Sequence, residues 1–232
     1  MLKALLTDID GTLTDRTRRL NTASIEAIRS LVDGGVQVVL ASGNASCFME
    51  SLCRMIGTQG SFIAENGGVF RVGYTDPLRI KGDQAVCRKA LEILQAHYRE
   101  VGVELTLLSP GYRFADLAFA RTVPAGEVNE ILRDHPVQVI DTGYAIHLQS
   151  LGINKGTAMV ALAREMDLPS SDFAAIGDSV NDIQMLKNAG MALTVANAHP
   201  DTKAVAHYVA EKDYGDGFVE AVERYFPYFL AR

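Results

Sequence analysis

Residues 5–15 read LLTDIDGTLTD. The stretch opens as an apolar strand and then sets two carboxylates, Asp8 and Asp10, one residue apart where the hydrophobic run stops. In an extended chain, residues 8 and 10 point to the same side. Two like charges about 4 Å apart repel by roughly 4 kcal/mol at an effective dielectric near 20. Gly11 and Thr12 then turn the chain away. A strand that ends in paired acids needs compensating charge from elsewhere in the sequence.

Around this segment, short apolar runs alternate with amphipathic helices. TASIEAIRSLVD (22–33) puts Ile25, Ile28 and Leu31 on one helical face and stops at Gly34-Gly35. VQVVLAS (36–42) is a continuous apolar strand, the pattern of a strand buried on both sides. ASCFMESLCRMI (45–56) is a helix with Phe48, Leu52 and Ile56 in register, and SFIAE (61–65) is a further strand before the turn NGG. The rhythm resumes with the helix KGTAMVALAREMD, the strand DFAAIGD, the helix VNDIQMLKNAG, the strand MALTVA, a turn of helix begun by Pro200, and a last helix carrying Phe218, Val222 and Tyr225. Alternation of this kind implies βαβ units: an α/β fold with a Rossmann-like parallel sheet flanked by helices. Residues 82–152 read differently, as helix, two strands joined by PGYRF, a shorter helix, and two strands turning at Asp141-Thr142-Gly143. The expectation is a catalytic core of residues 1–81 and 153–232 and an inserted α+β layer of antiparallel strands and two helices at 82–152, with hinges near Gly82 and Gly152.

In open parallel sheets, ligands bind beyond the carboxyl ends of the strands. Besides Asp8 and Asp10, three such ends or helix starts carry useful groups: ASGN gives Ser42, Gly43 and Asn44; INKG gives Lys155; and IGDSVND gives Asp178, Ser179, Asn181 and Asp182. Four carboxylates at one rim call for a divalent cation. All-oxygen ligation suits Mg2+, and the sparse His and Cys argue against zinc. A cation and a lysine beside a carboxylate form an anion trap with a nucleophile in it. One carboxylate can attack phosphorus, and the second, two residues on, can protonate the leaving alkoxide and later deprotonate water.

DIDGTLT, LASGN, INKG and GDSVND, in that order, resemble the four motifs of the haloacid dehalogenase superfamily of phosphatases. The insertion between the second and third motifs is similar to that of the subgroup with an α+β (type C2) cap, as is AENGGVF (64–70). The resemblance spans essentially the whole chain and runs closest to the phosphoglycolate phosphatase branch. It implies a Mg2+-dependent hydrolase that converts 2-phosphoglycolate to glycolate and phosphate through an aspartyl-phosphate. Asp8 would be nucleophile and metal ligand, and Asp10 general acid/base with its main-chain carbonyl on the metal. Ser42, with Gly43 and Asn44, would bind the phosphoryl oxygens, and Lys155 would stabilise that group and the charge on Asp8. Asp178 would bind the metal directly, Asp182 would bind or orient its shell, and Asn181 would assist. Many sugar-phosphate phosphatases of the subgroup carry Arg where Asn44 stands. A broad sugar-phosphate phosphatase is therefore the alternative. A phospho-accepting signalling module is a weaker fit, because of the second acid at +2, the insertion and the chain length; phosphotransfer to a sugar is a third option, which adding alcohol acceptors would discriminate. A carboxylate-bearing substrate should meet a cation on the cap. Arg113 in PGYRF is the candidate, against the plainer reading of an exposed turn charge.

Bulk properties agree. The chain has 232 residues and a net charge of −6, which argues against a nucleic-acid partner. Three cysteines, Cys47, Cys53 and Cys87, show no CxxC spacing, so neither a disulfide framework nor a zinc site is expected. The first apolar run stops at Leu6, too short for a signal peptide or a membrane span. The expected setting is cytoplasmic, as a monomer or homodimer acting on a small phosphorylated metabolite. The five histidines, His97, His135, His147, His199 and His207, show no metal-ligand spacing and carry no assigned chemistry.

Overall fold

A computed structural model describes residues 1–229. The strands are β1 (Ala4–Asp8), β2 (Gln37–Ala41), β3 (Phe62–Ala64), β4 (Val69–Arg71), β5 (Arg79–Ile80), β6 (Leu117–Ala120), β7 (Val137–Asp141), β8 (Ala145–Ser150), β9 (Phe173–Ile176), β10 (Met191–Thr194) and β11 (Tyr208–Val209). The helices are α1 (Thr22–Asp33), α2 (Ser46–Ile56), α3 (Gln84–Glu100), α4 (Ala125–Ile131), α5 (Lys155–Glu165), α6 (Ile183–Asn188), α7 (Pro200–Lys203) and α8 (Tyr214–Phe229).

Eight strands form one sheet in the order β11-β10-β9-β1-β2-β3-β4-β5, parallel from β11 to β3 and antiparallel beyond. Every residue of β1 is buried, and its side chains alternate between the two faces. Leu5 and Ile9 join the core under α1, α2 and α8, while Ala4 and Leu6 join the one under α5 and α6. That is the period-2 pattern of a strand covered on both sides. β1 pairs with β2 on one side and β9 on the other, with Asp8 opposite Ala41 and Thr7 opposite Ile176. From β1 the chain builds outward first through β2 and β3 and later through β9 and β10. The carboxyl end of β1 is therefore the point where strand order reverses, the place where such sheets open a crevice.

The segment between β5 and α5 makes a separate three-stranded antiparallel sheet, β6-β8-β7, backed by α3 and α4 over its own apolar core. Two expectations need correction here. The strand expected at 103–109 survives only as a bridge between Leu107 and Phe119 with two flanking backbone hydrogen bonds. Ser109 takes a left-handed conformation (φ 52°) and Pro110 offers no N–H, so pairing stops there. On α2 the buried stripe is Met49, Leu52, Cys53 and Ile56, while Phe48 is 46% exposed. Phe48 sits one position off the i, i+3, i+4, i+7 stripe. Strands β4, β5 and β11 were not anticipated; they are only two or three residues long and carry no periodic signal. Among the described residues, no helix is long and apolar enough to cross a membrane.

Candidate active site

β1 ends at Asp8, and the chain wraps around the Ile9 carbonyl, which accepts from the amides of Thr12, Leu13 and Thr14. Strand alternation therefore does not extend to Asp10, yet both acids line one cavity of about 650 Å3. Ser42, Gly43, Asn44, Lys155, Asp178, Ser179 and Asn181 line the same cavity. Asp182 lies behind it, fully buried. Every sequence-identified site residue is thus gathered at this rim.

Lys155 is the first residue of α5, capped by Asn154 in a reciprocal box with Thr157. A lysine at a helix N-terminus opposes the helix dipole. Here two carboxylates compensate it: Nζ donates to Asp8 Oδ1 and Asp182 Oδ1, both at 2.6 Å. Their charges outweigh burial and hold the ammonium above its usual range. Both oxygens of Asp182 are engaged. Its Oδ2 accepts from the amides of Asp178 (3.1 Å) and Ser179 (3.0 Å), which shapes the turn after β9. Asp8 differs: its Oδ2 is enclosed yet has no hydrogen-bond partner among the described residues. Burial, reinforced by Asp182 and Asp178, pushes the Asp8 carboxyl well up despite Lys155. Burial and the Asp182 charge push Asp178 up to about 7.

These observations test whether the site suits a cation. Asp8, Asp178 and Asp182 present carboxylate oxygens within 4.8 Å of one another. Ionised, the three acids outnumber the one lysine by two charges, and Asp8 Oδ2 lacks a donor among the described residues. The residues fit a hard divalent cation, since oxygen donors and excess negative charge are what such ions take. Gly11 helps bring Asp178 in. Its φ is +93°, and a Cβ there would lie 2.3 Å from Asp178 Oδ2.

The second motif binds the acids together. Asn44 Nδ2 donates to Asp10 Oδ2 (3.1 Å) and to Ser42 Oγ (2.9 Å), and the Asn44 amide also donates to Ser42 Oγ (3.1 Å). With two donors on its oxygen, Ser42 keeps its own hydrogen for a ligand. Asn181 Nδ2 donates to Asn66 Oδ1 (3.0 Å), in the NGG turn.

Arg18 and His147 line the pocket beyond the residues expected there. Arg18 lies with its guanidinium 3.5 Å from the centroid of Tyr144 and 3.9 Å from Asp10 Oδ1. Arg113 is not an exposed turn charge. It is 8% exposed, and its Nη1 donates to Asp116 Oδ1 (2.7 Å) and to Gly43 O (3.2 Å). The other oxygen of Asp116 holds His147 Nδ1 at 2.8 Å. Burial alone would raise Asp116, but the His147 hydrogen bond and the Arg113 charge hold it below the ordinary carboxylate range. Glu65 accepts from the amides of Phe114 (3.1 Å), Ala115 (2.8 Å) and Asp116 (3.1 Å), tying the core to the inserted layer. The one available signal was polar residues alternating with apolar ones in β8: His147 and Gln149 are buried opposite the face that Ile146 and Leu148 pack.

An α/β sheet with acids at its switch point, a lysine between them and a small layer inserted over the crevice defines an acid-nucleophile hydrolase. The sequence pattern of the haloacid dehalogenase-like hydrolases matches residues 5–107 and 126–222, and the chain belongs to that family. It is 57% identical to a phosphoglycolate phosphatase of Methanoculleus marisnigri over the full length of both chains, and 47% identical to one of Methanospirillum hungatei over the same share. The crystal structure of Thermoplasma acidophilum 0175 superposes with a TM-score of 0.86 at 26% identity, covering 97% of this chain and 99% of that one.

Proposed function

We propose that the chain is a Mg2+-dependent phosphatase that hydrolyses 2-phosphoglycolate. The observation that carries this reading is Asp8: a pocket-lining carboxylate with one oxygen on Lys155 and the other unpartnered, beside Asp10. The names of the relatives support the substrate, and so do the cations Arg16, Arg18, Arg113 and Lys155 around the cavity, which suit a doubly anionic ester better than a neutral sugar phosphate.

In this reading an Asp8 oxygen attacks phosphorus while the bond to the glycolate oxygen breaks, and Asp10 gives that oxygen its proton. Asp10 then takes a proton from water as the water attacks the phosphorus of the aspartyl-phosphate. The bond to Asp8 breaks, phosphate leaves, and both acids return to their starting states. Ser42, with the Gly43–Asn44 loop, holds the phosphoryl oxygens, and Lys155 stabilises their charge. Asn44 orients Asp10. Asp8, Asp178 and the Asp10 carbonyl would hold Mg2+ with Asp182 completing or orienting the shell; the ion supplies charge neutralisation at the phosphoryl group. Residues 82–152 act as a cap over a core of 1–81 and 153–232. The enzyme works in the cytoplasm as a monomer or homodimer, with no nucleic-acid or membrane partner.

The test is Asp8→Asn assayed with a panel of phosphorylated metabolites and an aryl phosphate in Mg2+. The variant should lose hydrolysis of all of them, and wild type should rank 2-phosphoglycolate first in kcat/KM. A variant of wild-type rate would refute the nucleophile, and a neutral sugar phosphate ranked first would refute the substrate.

A further inference from the structure

The cap sheet turns a polar but buried face toward the core, and three of its groups form one assembly. Asp116 is fully buried and both its oxygens are engaged, one by Arg113 and one by His147. Arg113 spends Nε on Leu108 O (3.0 Å) and Nη1 on Gly43 O. This accounts for every donor needed to lock the turn. Two nitrogens are left over: among the described residues, Arg113 Nη2 and His147 Nε2 have no protein partner and are not enclosed, and both residues line the cavity of Asp8 and Lys155.

Their position relative to the phosphate loop is fixed. A Cβ on Gly43 would lie 3.2 Å from His147 Cε1, so the imidazole rests directly on the loop between Ser42 and Asn44. The backbone carrying the assembly is pinned on both sides. Glu65 takes the amides of residues 114–116, and Gln84 Nε2 donates to the carbonyls of Arg113 (2.6 Å) and Asp116 (3.3 Å). A purely structural ion pair would need neither surplus nitrogen at the cavity. Both nitrogens are open to a ligand that enters the cavity.

We propose that His147 Nε2 and Arg113 Nη2 form the subsite for a carboxylate on the leaving group, with Asp116 as the positioning residue that aims both. Held between the Asp116 carboxylate at Nδ1 and a ligand carboxylate at Nε2, the His147 ring has an acceptor for a hydrogen on each nitrogen, and the Arg113 guanidinium N–H adds a charge-assisted donor beside the phosphate loop. A two-carbon ester carrying phosphate at one end and carboxylate at the other bridges the two anion sites; a neutral leaving group leaves the second site unmatched. The inference rests on the phosphatase reading of Asp8 and Lys155.

The experiment compares two competitive inhibitors of aryl phosphate hydrolysis, phosphonoacetate and ethylphosphonate, which differ in the carboxylate. Wild type should bind phosphonoacetate more tightly. His147→Asn keeps a donor toward Asp116 and deletes Nε2, whereas His147→Gln returns an amide to the Nε2 position. His147→Asn should cut the ratio of the two inhibition constants by roughly tenfold, the scale of one charge-assisted hydrogen bond, and His147→Gln should recover part of it. Equal weakening of both inhibitors, no preference in wild type, or loss of the ratio on Arg18→Gln instead would overturn the subsite. Because the ratio is read on an aryl phosphate, it stands apart from the metabolite ranking, and a failure of 2-phosphoglycolate as substrate shows in that ranking alone.

Discussion

Glu65 makes a pH-dependent contribution to stability that a single substitution isolates. Its carboxylate is fully buried, and burial, then the charge of Asp116, pushes it up to about 7 from an ordinary 4.5. At about 1.4 kcal/mol per pH unit, that interval is worth ~3 kcal/mol. A raised carboxyl means the folded protein holds a proton the unfolded chain has already lost. Stability from this group is therefore greatest at or below pH 4.5 and drains away as pH rises through about 7. Glu65→Gln removes the titration and keeps an acceptor for the amides of Ala115 and Asp116. At pH 4.5, where folded Glu65 is protonated and offers the same single carbonyl acceptor, the variant should match wild type to within about 1 kcal/mol. It should then gain roughly 3 kcal/mol on wild type by pH 8. The chain has no Trp, so far-UV circular dichroism is the probe for urea unfolding, in EDTA at constant ionic strength. With an m-value near 3 kcal/mol/M, the relative midpoint should move by about 1 M. Midpoints of wild type and variant that stay parallel from pH 4.5 to 8 would refute the reasoning.

Lys155→Met leaves the Asp8 and Asp182 carboxylates buried without their shared cation. It should destabilise the metal-free protein by about 3–5 kcal/mol and abolish turnover, measured by the same unfolding assay and by phosphate release. Mg2+ at about 100 times its dissociation constant should stabilise the wild-type protein by about 2.7 kcal/mol, read as a rise in melting temperature. Asp178→Asn should lose most of that rise; retention of it would remove Asp178 from the ligand set.

The core was legible because its strands are long apolar runs and its motifs fall at their carboxyl ends. β1, buried on both faces, reads as an apolar run over Ala4–Leu6 that passes through Thr7 and stops at its acid. The cap was legible as a type of layer but less so in detail. Its first strand failed at Ser109 and Pro110, where local backbone geometry overrode a β-prone sequence. Asp116 and His147 lie 31 positions apart in the chain and are joined only by strand pairing across β6 and β8, so no spacing rule could connect them. Glu65 was hidden for another reason: it follows a strand and takes a left-handed conformation (φ 51°), which a glutamate rarely adopts and sequence does not announce. Arg113 was legible as the candidate cap cation, but its burial was not, because its partner Asp116 looked like an ordinary strand-entry acid.

The contacts that seat the cap are also the contacts that complete the chemistry. Arg113 donates to Gly43 O, Gly43 sits between Ser42 and Asn44, and Asn44 holds both the Ser42 hydroxyl and the Asp10 carboxylate. Two hydrogen bonds and two residues of backbone therefore join the proposed carboxylate subsite to Asp10, the proposed general acid. Lifting the cap breaks the Glu65 and Gly43 contacts together, and frees the Asn44 loop on one side. A substrate that bridges His147 and Ser42 opposes that separation, whereas a neutral ester does not. Discrimination should accordingly appear in kcat as well as in KM: the carboxylate contributes to holding the acid in place during the reaction, not only to the initial capture.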